Sequence, residues 1–231
     1  MKTWMTMKAA ALGLALACLA AAAGAATYPT MAPPGDYLMA DRAAEIALAR
    51  TAAPPSVSDA AAVMVLERKG YVLVAPGGDG FVCLVQRAWF SGLADDGFWN
   101  PKLRAPICYN RQAARSVLPA FLKRTAWAMA GASQAEIRQR IRAAMAAGRY
   151  PPAEAGAITY MMSKEAYLTD RGDHNMAHLM FYTRVMDGAV WGADLPKSPV
   201  MLNPQFAREG IDVFMVLTGM WSDGTLAPVN N

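Results

Sequence analysis

Residues 9–23 form an uncharged apolar run, preceded by Lys2 and Lys8 and followed by small residues. This run constrains the rest of the chain more than any other feature, because it decides the compartment in which the remainder folds. A positively charged start, a short apolar stretch and a small-residue site are the three parts of a secretory signal peptide. Ala23-Gly24-Ala25 supplies the small side chains a signal peptidase requires, so the expectation is a signal peptide over 1–26 and a single mature domain over 27–231. A membrane anchor is the alternative, but the run falls short of the ~20 residues a bilayer core demands and is mostly alanine. Cys18 raises a lipoprotein reading, yet Ala15-Leu16-Ala17-Cys18 lacks the usual leucine three positions before the cysteine.

Cleavage would discard Cys18 and leave Cys83 and Cys108 as an even pair in an oxidising environment, where a disulfide is the default. Closing that loop stabilises a fold by about 3 to 4 kcal/mol on the chain-entropy argument. A free catalytic thiol is the competing reading, and it would need an activating base. The mature chain is of a size that one domain can fill with a sizeable core, and no second apolar run reaches spanning length.

Periodicity predicts a helix over 36–51, with Met39, Ala43, Ile46 and Ala47 on one face and Pro54-Pro55 ending it. An N-terminal β-meander follows over 62–67, 71–75 and 81–87, the glycines at 77, 78 and 80 reading as a hairpin turn. Alternation puts Phe81, Cys83 and Val85 on one face, where the thiol can meet a partner near Cys108. Residues 91–110 read as a long ordered loop anchored by Phe98-Trp99-Asn100-Pro101. Pro119 opens or kinks a helical segment reaching 129. Ser133 and Glu136 then form a capping box for a helix carrying Ile137, Ile141 and Met145, stopped by Gly148 and Pro151-Pro152. Later strands are expected over 157–163, 178–184 and 212–218. The whole predicts an α+β fold: a largely antiparallel sheet packed with about three helices and held by one disulfide.

Phe98-Trp99-Asn100-Pro101-Lys102, Ala105-Pro106-Ile107-Cys108, Tyr160-Met161-Met162-Ser163-Lys164, His178-Leu179-Met180-Phe181-Tyr182 and Trp191-Gly192-Ala193-Asp194-Leu195-Pro196 together resemble a family of exported bacterial proteins of unassigned function. That resemblance covers most of the mature length. It implies a periplasmic or secreted location and carries no activity or site residue with it.

Catalytic signatures are mostly absent. Gly131-Ala132-Ser133-Gln134-Ala135 departs from the nucleophile-elbow pattern at its last position, does not follow a predicted strand, and its serine is already explained as a cap. No phosphate-binding loop or dinucleotide fingerprint occurs. His174 and His178 are the only histidines, so imidazole chemistry must run through one segment. With Asp170 and Asp173 beside them, a hydrolytic metal site or a histidine–carboxylate pair is the enzymatic reading. If the strand begins early, His174, Met176, His178 and Met180 fall on one side, a soft donor set suited to Cu(I). A straight strand spreads such ligands too far apart for all to grip one ion, so ordinary core methionines beside surface histidines is the competing reading.

Charge supplies the other signal. Residues 102–149 contain ten Lys or Arg against one acid, Glu136, while the rest of the mature chain is net acidic. Lys123, Arg124, Arg138, Arg140 and Arg142 would form a cationic helical face able to dock on an anionic envelope component or an acidic protein. The alternative is that these charges pair with the acidic remainder across the fold. The compartment argues against nucleic acid. The sequence reading is therefore an envelope binding or interaction module, with a histidine/carboxylate enzyme or a copper binder as the alternative.

Overall fold

A computed structural model describes residues 28–170 and 175–228, so the signal peptide reading falls outside the described residues. One sheet organises the chain. Its strands are β1 (Ala62–Glu67), β2 (Gly70–Ala75), β3 (Val82–Gln86), β4 (Ala105–Tyr109), β5 (Ile158–Met161), β6 (His178–Arg184), β7 (Val200–Asn203) and β8 (Ile211–Leu217), in the order β2-β1-β3-β4-β5-β6-β8-β7. Every neighbouring pair is antiparallel except β1 and β3. The α-helices among the described residues are α1 (Arg42–Arg50), α2 (Pro55–Ser58), α3 (Arg111–Ser116), α4 (Leu118–Met129) and α5 (Gln134–Ala146). The fold is α+β with a largely antiparallel sheet, and two short helices, α2 and α3, bring the helix count above the three expected.

Strand alternation divides the core into two layers. Cys83, Val85 and Cys108 point to one face and pack with Ala49, Ala52 and Ala53 at the end of α1. Leu84, Ile107 and Tyr109 point to the other and pack with Val117, Phe121, Ile137 and Ile141 of the helical layer. Cys83 and Cys108 are directly opposed in the β3–β4 register with Cα atoms 4.0 Å apart, and they form the disulfide beneath α1.

Local signals placed the helix ends. Asp41 caps α1 by accepting from Ala43 N at 2.8 Å, so the helix expected from 36 starts at Arg42 and a separate 3-10 turn occupies Pro34–Tyr37. Ser133 and Glu136 form the expected capping box on α5, which buries Ile137 and Ile141 in the main core. Each such burial stabilises by roughly 1.5–3 kcal/mol.

The meander is a correction. β1 and β2 form a hairpin, but β3 lies on the far edge of β1 and runs parallel to it. Residues 76–80 cross beneath the start of β1, where Gly78 N donates to Ala60 O at 3.0 Å. Gly77 permits the crossing, since a Cβ there would stand 2.1 Å from Ala62 N. The glycines at 77, 78 and 80 therefore serve a crossover rather than a hairpin. Residues 91–110 also contain a strand, β4, although Pro106 argues against one. β5 pairs with β4 only at Cys108 and Tyr109, so the stretch around Pro106 is locally an edge on that side.

A buried ion pair ties the first layer together. Arg87 and Glu45 are fully buried, with Nη2 donating to Oε1 at 2.8 Å. Arg87 Nε donates to Tyr37 O at 2.6 Å and its Nη1 donates to Val85 O, while Glu45 Oε1 also accepts from Leu66 N at 3.2 Å. Neither side chain leaves a buried polar atom without a partner.

Candidate functional site

Asp173 and His174 lie outside the described residues, so of the imidazole–carboxylate segment only Asp170 and His178 have described surroundings. They do not meet in a hydrogen bond. Asp170 receives hydrogen bonds from Tyr28 at 2.5 Å, from Lys102 at 3.0 Å and from Tyr167. These three donors, Tyr167 foremost, hold its carboxyl down at about 2. His178 is buried on β6, its Nδ1 lies 2.6 Å from Met176 O, and burial lowers its pKa despite that contact. Met180, two residues along the same face, packs in the core. Among the described residues no cluster of three or more His, Cys, Asp and Glu side chains is placed to hold a metal ion.

The basic segment does not form one face. Lys102 pairs with Asp170 and Arg115 with Glu154 at 2.6 Å on the surface, and Arg124 pairs with Glu209 in the interior, so part of the asymmetry is neutralised within the chain. Arg138 turns to Leu93 O at 2.8 Å. Lys123, Arg140 and Arg149 instead line a cleft of about 550 Å³ between α4 and the end of α5, together with Trp127, Pro119 and Pro151. The Arg140 guanidinium sits 5.8 Å from the Trp127 ring centroid. Among the described residues no acid lines that cleft. Arg142 is exposed on α5 but does not line it.

Arg124, expected on the cationic face, is a correction: only 2% of it is exposed. The reason is its place on α4, where Phe121, Arg124, Thr125 and Ala128 form the inward stripe. Its Nη1 donates to Trp89 O and Ser91 O, each at 3.0 Å, and its Nη2 donates to Glu209, which ends a 3-10 turn over Pro204–Glu209. Gly210, at φ 78, turns the chain from there into β8.

This pair borders a cavity of about 440 Å³ between the helical layer and the β6–β8 end of the sheet. Ile141, Met145, Phe206, Tyr182 and Val213 make most of its wall apolar. Three buried side-chain atoms among the described residues have no hydrogen-bond partner: Arg124 Nε, Tyr150 OH and Glu209 Oε1. All three belong to residues lining this one cavity. Burial shifts these three groups toward their neutral forms, lowering Arg124 and raising Glu209 and Tyr150, and the attraction between Arg124 and Glu209 offsets this only in part. The three atoms themselves have almost no accessible surface and lie behind the largely apolar wall, which Arg184 also lines. The cavity shares Ser116, Ala120, Tyr150 and Pro151 with the cationic cleft, so the two are neighbours across a common wall.

Sequence reasoning missed Tyr150 and Glu209 as site residues. The available signal was the α4 stripe, in which a lone arginine among Phe121, Thr125 and Ala128 demands a buried partner. No protein family, no curated protein and no solved structure matches this chain.

Proposed function

We propose that the protein is an exported binding module of the bacterial envelope that holds an anionic lipid headgroup at the cleft between α4 and α5. The observation that carries this reading is the acid-free arrangement of Lys123, Arg140 and Arg149 around Trp127. A cationic rim attracts a phosphate, and an indole beside it suits the boundary between headgroup and acyl chain. The alanine-rich leader and the Cys83–Cys108 disulfide support a periplasmic or secreted setting, where such surfaces are at hand. No helix among the described residues is long and apolar enough to cross a membrane.

Sedimentation with phosphatidylglycerol vesicles, compared with phosphatidylcholine vesicles, tests the reading. Binding is expected to the anionic vesicles alone, weakening as salt is raised. Joint replacement Lys123→Gln, Arg140→Gln and Arg149→Gln should weaken it by roughly 100-fold. Equal binding to both vesicle types, or none at low ionic strength, would point instead to an acidic protein partner or to no anionic partner.

A further inference from the structure

The cavity beside that cleft combines an apolar floor with one free charge at its mouth. From the place of Arg184 on the rim of this chamber, we propose that it is a second ligand site, which takes the chain of a fatty acid and holds its carboxylate at Arg184.

Exposure orders the lining from floor to mouth. Phe121, Ile141 and Val213 are buried, Phe206 is half-buried, and Arg184 and Val185 are exposed. Of the lining hydroxyls, Ser116 donates to Gln112 O at 2.8 Å, Tyr182 lies 3.3 Å from Thr159 Oγ1, and that of Tyr150 has almost no accessible surface. None of them draws a polar group into the interior. Three charged residues line the chamber, Arg124, Arg184 and Glu209. Arg124 and Glu209 pair with one another and leave no net charge. Arg184 ends β6, and its side chain forms no ion pair among the described residues. The uncancelled charge is therefore positive and stands at the entrance, with apolar wall behind it. A ligand that complements both has an apolar body and one negative head. A carboxylate matches a single guanidinium fork with its two oxygens. A phosphate dianion would lack a second cation, because Lys123, Arg140 and Arg149 line the cleft and not this chamber. An ammonium head would be repelled by Arg184. At the exposed rim the carboxylate also keeps contact with water, so its charge is not stripped of hydration. At about 440 Å³ the chamber falls in the range of small-molecule sites and can cover a chain of several methylenes. The inference stands apart from lipid binding at the cleft, which Arg184 does not line.

Calorimetric titration with decanoate, decan-1-ol and decylamine at neutral pH tests the site. The protein should carry Lys123→Gln, Arg140→Gln and Arg149→Gln, so that decanoate is not drawn to the cleft and the outcome is separate from that of the vesicle experiment. Decanoate is expected to bind about tenfold more tightly than the alcohol or the amine. Adding Arg184→Gln, an exposed substitution, should remove that advantage and leave the alcohol unchanged. Shortening the chain to octanoate should weaken binding by roughly tenfold, since each methylene withdrawn from the chamber costs about fourfold. Met145→Trp, which fills the chamber, should abolish binding of decanoate and decan-1-ol alike; should that variant fail to fold, the comparison of octanoate with decanoate reads the chamber instead. Equal binding of the three head groups, preference for decylamine, an unchanged decanoate affinity in Arg184→Gln, equal affinities of octanoate and decanoate, or no binding of decanoate at millimolar concentration would each overturn the proposal.

Discussion

Among the described residues two arginine–glutamate pairs are buried, Arg87–Glu45 and Arg124–Glu209, and they are finished differently. In the Arg87–Glu45 pair the guanidinium reaches Tyr37 O, Val85 O and Glu45, while the carboxylate also takes the Leu66 amide. The Arg124–Glu209 pair has the same chemistry but leaves Arg124 Nε and Glu209 Oε1 unmatched, with the Tyr150 hydroxyl orphaned beside them. A buried ion pair offsets its desolvation only when its remaining donors and acceptors are also matched. In the first pair no fully buried polar atom lacks a partner, and the pair joins α1 to the sheet. The second leaves two such atoms unmatched, although a residue of each pair lines a cavity. Incomplete hydrogen bonding, more than burial or charge, is what separates the two pairs.

The largest expected effect is at the completed pair. Glu45→Ala should lose about 3–5 kcal/mol in denaturant unfolding, because it strands Arg87 in a dry interior and also frees the Leu66 amide. Glu209→Ala should lose less, about 1–3 kcal/mol, since Arg124 keeps the Trp89 and Ser91 carbonyls and the cavity lets the site relax. If Glu209→Ala proved as damaging as Glu45→Ala, the second pair would be structural too and the contrast would fail.

These roles were unevenly legible in the sequence. Features set by neighbours along the chain were readable: the Ser133–Glu136 box, the α5 face through Ile137 and Ile141, and the inward phase of Cys83. The β3 position was not, because it depends on the 76–80 crossing beneath β1 rather than on turn residues alone. Pro106 disguised β4, since a central strand normally needs every amide and this one is unpaired on the side where proline sits. Arg124 counted as one more cation in a basic stretch until its partner, 85 residues away at Glu209, was known. A site completed by such long-range contacts leaves only half of its pattern in any one segment.

A pair of tyrosine substitutions sharpens the comparison at smaller amplitude. Tyr37 OH receives Ala32 N at 3.1 Å and donates to Trp99 O at 2.8 Å, so Tyr37→Phe should lose about 1–2 kcal/mol. Tyr150→Phe removes a hydroxyl that has no partner, so its stability should change by about 0.5 kcal/mol or less, or rise slightly. Thermal or denaturant unfolding of the two variants decides it: equal losses would mean that the Tyr150 hydroxyl is already matched.

The smallest effect is a pH dependence specific to the second pair. Burial raises the Glu209 pKa above its ordinary 4.5, and the opposing pull of Arg124 does not cancel this. Between 4.5 and that raised folded value, the native state holds the Glu209 proton more often than the unfolded chain does. Its contribution to stability is therefore fully present below 4.5 and is lost as pH rises through the folded pKa. Relative to Glu209→Gln, which cannot titrate, the parent protein should lose stability as pH is raised from about 4 to about 7 in denaturant melts. A difference that instead grows in the parent's favour over that range would mean that Arg124 outweighs desolvation. The second pair would then be as well compensated as the first, and the cavity would need another reason for its unmatched atoms.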